Sequence, residues 1–217
     1  MRELEFLKNL STVLGHSLWY ETKQKYSPNG EADGILCVST FSFTSDNGTA
    51  TSDPPRGTTS TDAITQFNWK NADDAVATAY SAAPITAGNN SFERFIYGTF
   101  TGSYNQITNG LWQHVSGVLG AGLVVKVVVT GTGAGSYTTP ATTTNANLTR
   151  DLTQTGLITT GLTVLFGASG AYASGKNAST SAVPAFSQYL VSQLQTTVAA
   201  SAGDTTNTTW TLRYDEN

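Results

Sequence analysis

From Ile64 onward, short runs rich in Val, Ile, Thr and aromatic residues alternate with clusters of Gly, Asn, Ser and Pro. The runs are Ile64–Lys70, Ala75–Tyr80, Phe92–Thr101, Gln106–Val115, Leu123–Thr130, Leu148–Ile158, Leu162–Phe166, Phe186–Val198 and Thr208–Tyr214. Regular spacing of this kind is what two packed antiparallel sheets produce. The last run is the clearest. Trp210, Leu212 and Tyr214 share one face and Thr209, Thr211 and Arg213 the other, the period of a half-buried strand. Leu123-Val124-Val125-Lys126-Val127-Val128-Val129 is apolar on both faces, which predicts a central strand. The β-branched Thr196, Thr197 and Val198 favour a strand over a helix at 188–198.

The first part of the chain follows a different period. Phe6, Leu7, Leu10, Val13, Leu14 and Leu18 recur at helical spacing, so residues 3–19 read as an amphipathic helix. A helix this short needs a partner surface for its apolar stripe. Ser27-Pro28-Asn29-Gly30 ends this unit, a strand is predicted over 35–43, and residues 44–61 read as a polar linker. The expected organisation is a helical arm over 1–25, a linker with one strand over 26–63, and a β-domain over 64–217. The fold class is all-β: an antiparallel β-sandwich, Ig-like or jelly-roll, with an N-terminal helical arm.

Composition narrows the function. Of 217 residues only 12% are charged, while Thr and Ser together supply about a quarter, which disfavours helical bundles and coiled coils. A hydrophobic content of 39% with 10% aromatics can fill a core. The net charge of −4 offers no basic excess for phosphate backbones, so nucleic acid is not an expected partner. No run approaches the roughly 20 apolar residues of a membrane span, and the charged N-terminus is unlike a secretory signal. The single cysteine, Cys37, excludes an internal disulfide framework and reads as a buried thiol in an apolar run.

Chemistry is sparse. The titratable candidates are His16, His114, Asp62, Asp73, Asp74 and Glu93, with no Gly-x-Ser-x-Gly elbow and no thiol-enzyme signature. His114 falls on the same strand face as Trp112 and is expected to pack. Asp73-Asp74 lacks the alternating oxygens and distal Glu of a calcium loop. The glycine-rich 131–136 stretch has no Lys-Ser/Thr and no following helix, so it reads as a hairpin tip rather than a phosphate loop. No catalytic residue, cofactor or metal is therefore expected. Trp69, Trp112 and Trp210 lie in strand patterns where burial is the default, and Trp19 is the one tryptophan placed to anchor an interface. The residues expected to dock a partner are Phe6, Leu7, Leu10, Leu14 and Trp19.

The segments Ile64-Thr65-Gln66-Phe67-Asn68-Trp69-Lys70, Pro84 through Phe92, Phe100-Thr101-Gly102-Ser103-Tyr104-Asn105-Gln106-Ile107 and the closing Leu212 through Asn217 resemble structural proteins of tailed-bacteriophage particles. The resemblance covers about residues 64–217. It implies a non-enzymatic component of head decoration, head–tail connector or tail, located in the virion and partnered by capsid, portal, connector or tail proteins. Low charge and flat polar sheet faces also suit a homo-oligomer assembled in many copies. The alternative reading is a carbohydrate-binding or host-recognition module, which predicts a row of exposed aromatics.

Overall fold

The computed structural model describes residues 16–24, 38–51, 57–74, 80–104, 106–129, 137–152, 161–168, 178–179, 185–201 and 208–216. In chain order the strands are β1 (His16–Gln24), β2 (Val38–Ala50), β3 (Gly57–Thr61), β4 (Gln66–Phe67), β5 (Arg94–Ser103), β6 (Gln106–Ser116) and β7 (Leu123–Val129). They continue with β8 (Arg150–Leu152), β9 (Leu162–Val164), β10 (Phe166–Ala168), β11 (Ala178–Ser179), β12 (Ala185–Ser187), β13 (Leu190–Thr196) and β14 (Thr209–Glu216). The described residues contain no α-helix, only a 3-10 turn at Tyr80–Ala82.

The strands form two sheets. The first runs β11-β6-β14-β1-β4, with β9 also on β6; the second runs β10-β12-β5-β13-β7-β8, with β2 on the far edge of β5 and β3 on β2. All pairings are antiparallel except β1 with β14.

The alternation in the sequence decides which side chains meet. Trp210, Leu212 and Tyr214 of β14 are buried, and across the strand pair His114 and Trp112 of β6 lie opposite Trp210 and Leu212. From the other sheet Phe41, Phe43 and Phe100 point back at them. Phe43 stacks on Trp112 at 5.3 Å between centroids, and Phe100 meets Tyr214 edge-on at 4.7 Å. Gly98 is required where β5 passes this layer, because a Cβ there would lie 2.7 Å from the Phe41 ring and 2.8 Å from Leu212. The second sheet also buries its opposite face. Phe95, Tyr97, Tyr189 and Val191 pack there against Tyr137 and Leu148 of the segment 137–149. β7, expected to lie centrally, is instead second from the end of its sheet, with only the three residues of β8 beyond it; Val125 and Val127 join the layer between the sheets and Val128 packs on the opposite face.

At one end the sheets are tied by Glu216, whose carboxylate accepts from the Ser39 backbone N–H (2.8 Å) and hydroxyl (2.7 Å). Thus the last strand of one sheet holds the start of the first strand of the other.

Three further expectations are corrected. Residues 16–19, expected to close the N-terminal helix, belong to strand β1; residues 1–15 lie outside the described residues. Tertiary pairing overrides the helical period. Leu18 and Tyr20 register opposite Trp210 and Leu212, and Glu21 and Lys23 register opposite Arg213 and Asp215. Second, the strand expected over 35–43 is described from Val38 and continues to Ala50, residues 35–37 with Cys37 lying outside the described residues. Most of the expected linker 44–61 forms the rest of the β2–β3 hairpin. Third, β2 pairs with β5 along Val38–Asp46, so the sheet begins well before residue 64. Of the remaining runs, 75–79, 130–136 and 153–160 lie outside the described residues, and 186–198 divides into β12 and β13.

The aromatic layer gives a direct prediction. Phe100 is fully buried against Phe41, Phe166 and Tyr214. Phe100→Ala should lower unfolding free energy by about 3–5 kcal/mol in a urea titration, whereas Val115→Ala, at a half-exposed position, should stay within about 0.5 kcal/mol.

Candidate functional site

The densest group of polar side chains surrounds the β2–β3 hairpin, the segment 68–74 and the strap 137–149. Its hub is Arg94, 2% exposed at the start of β5. The guanidinium donates from Nε to the Asn68 carbonyl (2.8 Å), from Nη2 to Ala72 (2.9 Å) and from Nη1 to Asp74 (3.2 Å). A planar fork with donors on several sides suits three carbonyls at once, which a lysine ammonium on a single point does not. Burial lowers the affinity of Arg94 for its proton, and the charges of Asp74 and Asp73 counter that.

Lys70, completely buried, forms an ion pair with Asp74. Asp73 accepts the Gly48 N–H on Oδ2 (2.9 Å), while its Oδ1 is buried without a hydrogen-bond partner among the described residues. Burial raises the Asp73 pKa; the Gly48 N–H and Arg94 oppose that rise, and the neighbouring Asp74 adds to it.

Across the hairpin, Asp46 accepts from the Ser60 hydroxyl (2.6 Å) and from the buried Tyr189 hydroxyl. Tyr137 donates to the Gly48 carbonyl (2.6 Å). Its phenol is held well above the usual range, first by burial and then by the negative charges of Asp73, Asp46 and Glu93. It therefore stays a hydrogen-bond donor at any ordinary pH.

Glu93 belongs to the same side of the molecule but a different task. Its carboxylate accepts from the Ala141 N–H (3.3 Å) and from the Asn145 amide, while its backbone N–H reaches the Ala141 carbonyl (3.2 Å). Gln193 adds donations to Ser91, Ala141 and Thr143 carbonyls. Together they clamp the strap onto the second sheet. Burial raises the Glu93 pKa against the pull of those two donors.

Beside the clamp lies an open groove of about 390 Å³ lined by Asn71, Gly88, Asn89, Asn90 and Thr142 to Thr144. Amides and hydroxyls line it, with Asn90 donating to the Thr142 carbonyl and the Thr144 hydroxyl.

The residues singled out in the sequence fall as follows. Phe6, Leu7, Leu10 and Leu14 lie outside the described residues; Trp19 sits on β1, in register with Thr211. His114 is buried beside Trp210 at 5.2 Å, packed as expected. Asp62 is exposed and accepts the Thr44 hydroxyl (2.9 Å). Trp69, Trp112 and Trp210 are buried, Trp69 donating its indole N–H to Ser192. Among the described residues, no three His, Cys, Asp or Glu side chains gather as metal ligands. Sequence reasoning missed Asp46, Lys70, Arg94, Tyr137 and Tyr189. The usable signal was the unusual Glu93-Arg94 pair entering an apolar strand run. No protein-family model, curated protein or solved structure matches the chain.

Two outcomes test this description. Tyr189→Phe leaves one buried oxygen of Asp46 without its donor and should cost about 1–3 kcal/mol in chemical unfolding. Burial lowers the His114 pKa below 6.5, offset in part by the Ser116 backbone. As pH falls through 6.5 the unfolded chain binds a proton that the native state still refuses, so His114 drains stability on the acid side. Urea midpoints measured across that range should therefore fall less steeply for His114→Phe than for the parent chain.

Proposed function

We propose that the chain is a non-enzymatic structural component of a tailed-bacteriophage particle, a β-sandwich that docks in many copies on capsid or head–tail connector proteins. The observation that carries the reading is the strand order. One sheet runs β4-β1-β14-β6-β9, in which β1 separates β4 from β14, and the other includes β5-β13-β7-β8. Among the eight of these strands other than β1, the chain crosses between sheets at β4 to β5, β5 to β6, β6 to β7, β8 to β9 and β13 to β14, and between β9 and β13 it crosses again through β10, β11 and β12. We read these eight strands, with β1, β2, β3, β10, β11 and β12 left out, as a jelly-roll order rather than an Ig-like one, and the jelly roll is a fold of capsid subunits as well as lectins and cupins. Fold alone does not settle function. The disposition of side chains adds weight on the assembly side. Arg94, Lys70, Asp46 and Glu93 are spent on positioning loops, and the large aromatics on joining the sheets.

A host-facing carbohydrate module is the second reading, and the amide- and hydroxyl-lined groove at Asn71, Asn89 and Asn90 is what favours it.

The test is co-purification. Particles produced in a host expressing this chain with the other structural proteins of its phage should retain it through a density gradient, in a fixed ratio to the major capsid protein. A chain that stays at the top of the gradient while complete particles band below it rejects the virion role. A chain that bands with particles and also binds a glycan array, losing that binding in Asn90→Ala, shifts its role to host recognition.

A further inference from the structure

We propose that β1 is the self-association edge of this protein, pairing antiparallel with β1 of a second copy about a two-fold axis centred on Thr22. The proposal rests on the multi-copy reading above and names the contact.

On one side β1 is paired along Ser17–Gln24 with β14. On the other, β4 covers only His16 and Ser17. Among the described residues, positions 18–24 have no partner strand on that second side. An edge of seven residues presents a row of backbone donors and acceptors, and a strand added there is a common mode of recognition.

Geometry limits how a second copy can add. For the two sheets to continue into one, with both cores on the same side, residues of the same sheet face must oppose each other. The two positions of each pair therefore sum to an even number. Pairing must also stay clear of His16 and Ser17, which β4 occupies. Three registers then remain. One centred on Glu21 opposes Glu21 with itself, and one centred on Lys23 opposes two lysines; like charges directly opposite are destabilising. The register centred on Thr22 opposes Glu21 with Lys23 twice, Tyr20 with Gln24 twice, and Thr22 with Thr22. Only there do the charges of the edge complement each other. The same two residues already register with opposite charges inside the chain, Glu21 with Arg213 and Lys23 with Asp215. An isologous contact of this kind closes as a dimer and does not propagate edge to edge.

Cysteine scanning reads the register directly. In a full-length Cys37→Ser background, single cysteines are placed at positions 20 to 24 and oxidised, then run on a non-reducing gel. Directly opposed residues of an antiparallel pair lie about 4.5–5.5 Å apart at Cα, within disulfide reach, whereas Tyr20 and its own copy would sit about 14 Å apart. The expected result is a shift to twice the mass for Thr22→Cys and none for Tyr20→Cys or Gln24→Cys. Because Thr22 registers opposite the buried Tyr214, a second pair avoids that position: Glu21→Cys chains mixed with Lys23→Cys chains should cross-link to each other. Sedimentation velocity of the unmodified chain should give a dimer. A monomer at every concentration, or cross-linking strongest at Glu21→Cys, overturns the proposal. A dimer that no cysteine in β1 captures also overturns it, yet leaves the assembly reading standing, since that reading is judged by particle incorporation.

Discussion

The contact between inward-facing rings is what the rest of this molecule depends on. A chain so rich in Thr, Ser, Asn and Gly has little else with which to hold two sheets together. Phe41, Phe43 and Phe100 from one sheet meet Trp112 and Tyr214 from the other in a mixture of stacked, tilted and edge-on pairs, with Phe166 edge-on to Phe100 behind them. Such pairs add roughly 0.5–1.5 kcal/mol each beyond the apolar area they remove from water, and they prefer a few relative orientations. The layer therefore fixes the distance and the angle between the sheets. Gly98 is part of the same constraint, since any side chain there would push the rings apart.

The sheets were legible in the sequence wherever burial alternates or is complete. β14 reads directly from Trp210, Leu212 and Tyr214, and β7 from a run of Leu and Val broken only by Lys126, because water is excluded from at least one face and the residues record it. The second half of β2 left no such record. Thr44, Ser45, Asp46 and Asn47 are all buried, yet none is apolar. Their burial is affordable only because Asp62, Ser60 and Tyr189 supply hydrogen bonds from up to 143 positions away. No local pattern encodes a partner that distant. Residues 16–19, expected to be helical, became strand for a related reason. Its helical spacing is real as far as Leu18, but pairing with β14 decides the conformation of residues 16–24. Connectivity was left open between two sandwich types, because strand order is a property of long-range pairing that local spacing does not record.

The polar cluster was hidden in the same way. Asp73, Asp74 and Glu93 stood out in the sequence as isolated acids and would have suggested chemistry had they converged on a cleft. Instead Arg94 and Lys70 draw the first two into the packing of segment 68–74, and Glu93 clamps the strap. The sequence distance between Arg94 and the carbonyls it binds, 20 to 26 residues, conceals this arrangement from any motif.

Burying these charges has a thermodynamic logic. Removing one partner of a buried ion pair typically costs about 3–5 kcal/mol, yet replacing the whole pair with well-packed apolar groups is often neutral or better. The cluster is therefore a poor way to gain stability and a good way to fix geometry. With one cysteine, the chain has no internal disulfide with which to fasten its loops. Arg94 performs that role by holding three carbonyls of one loop, and Gln193 by holding three beneath the strap. Loops set in this way hold their positions without covalent staples, using the residue types this composition provides.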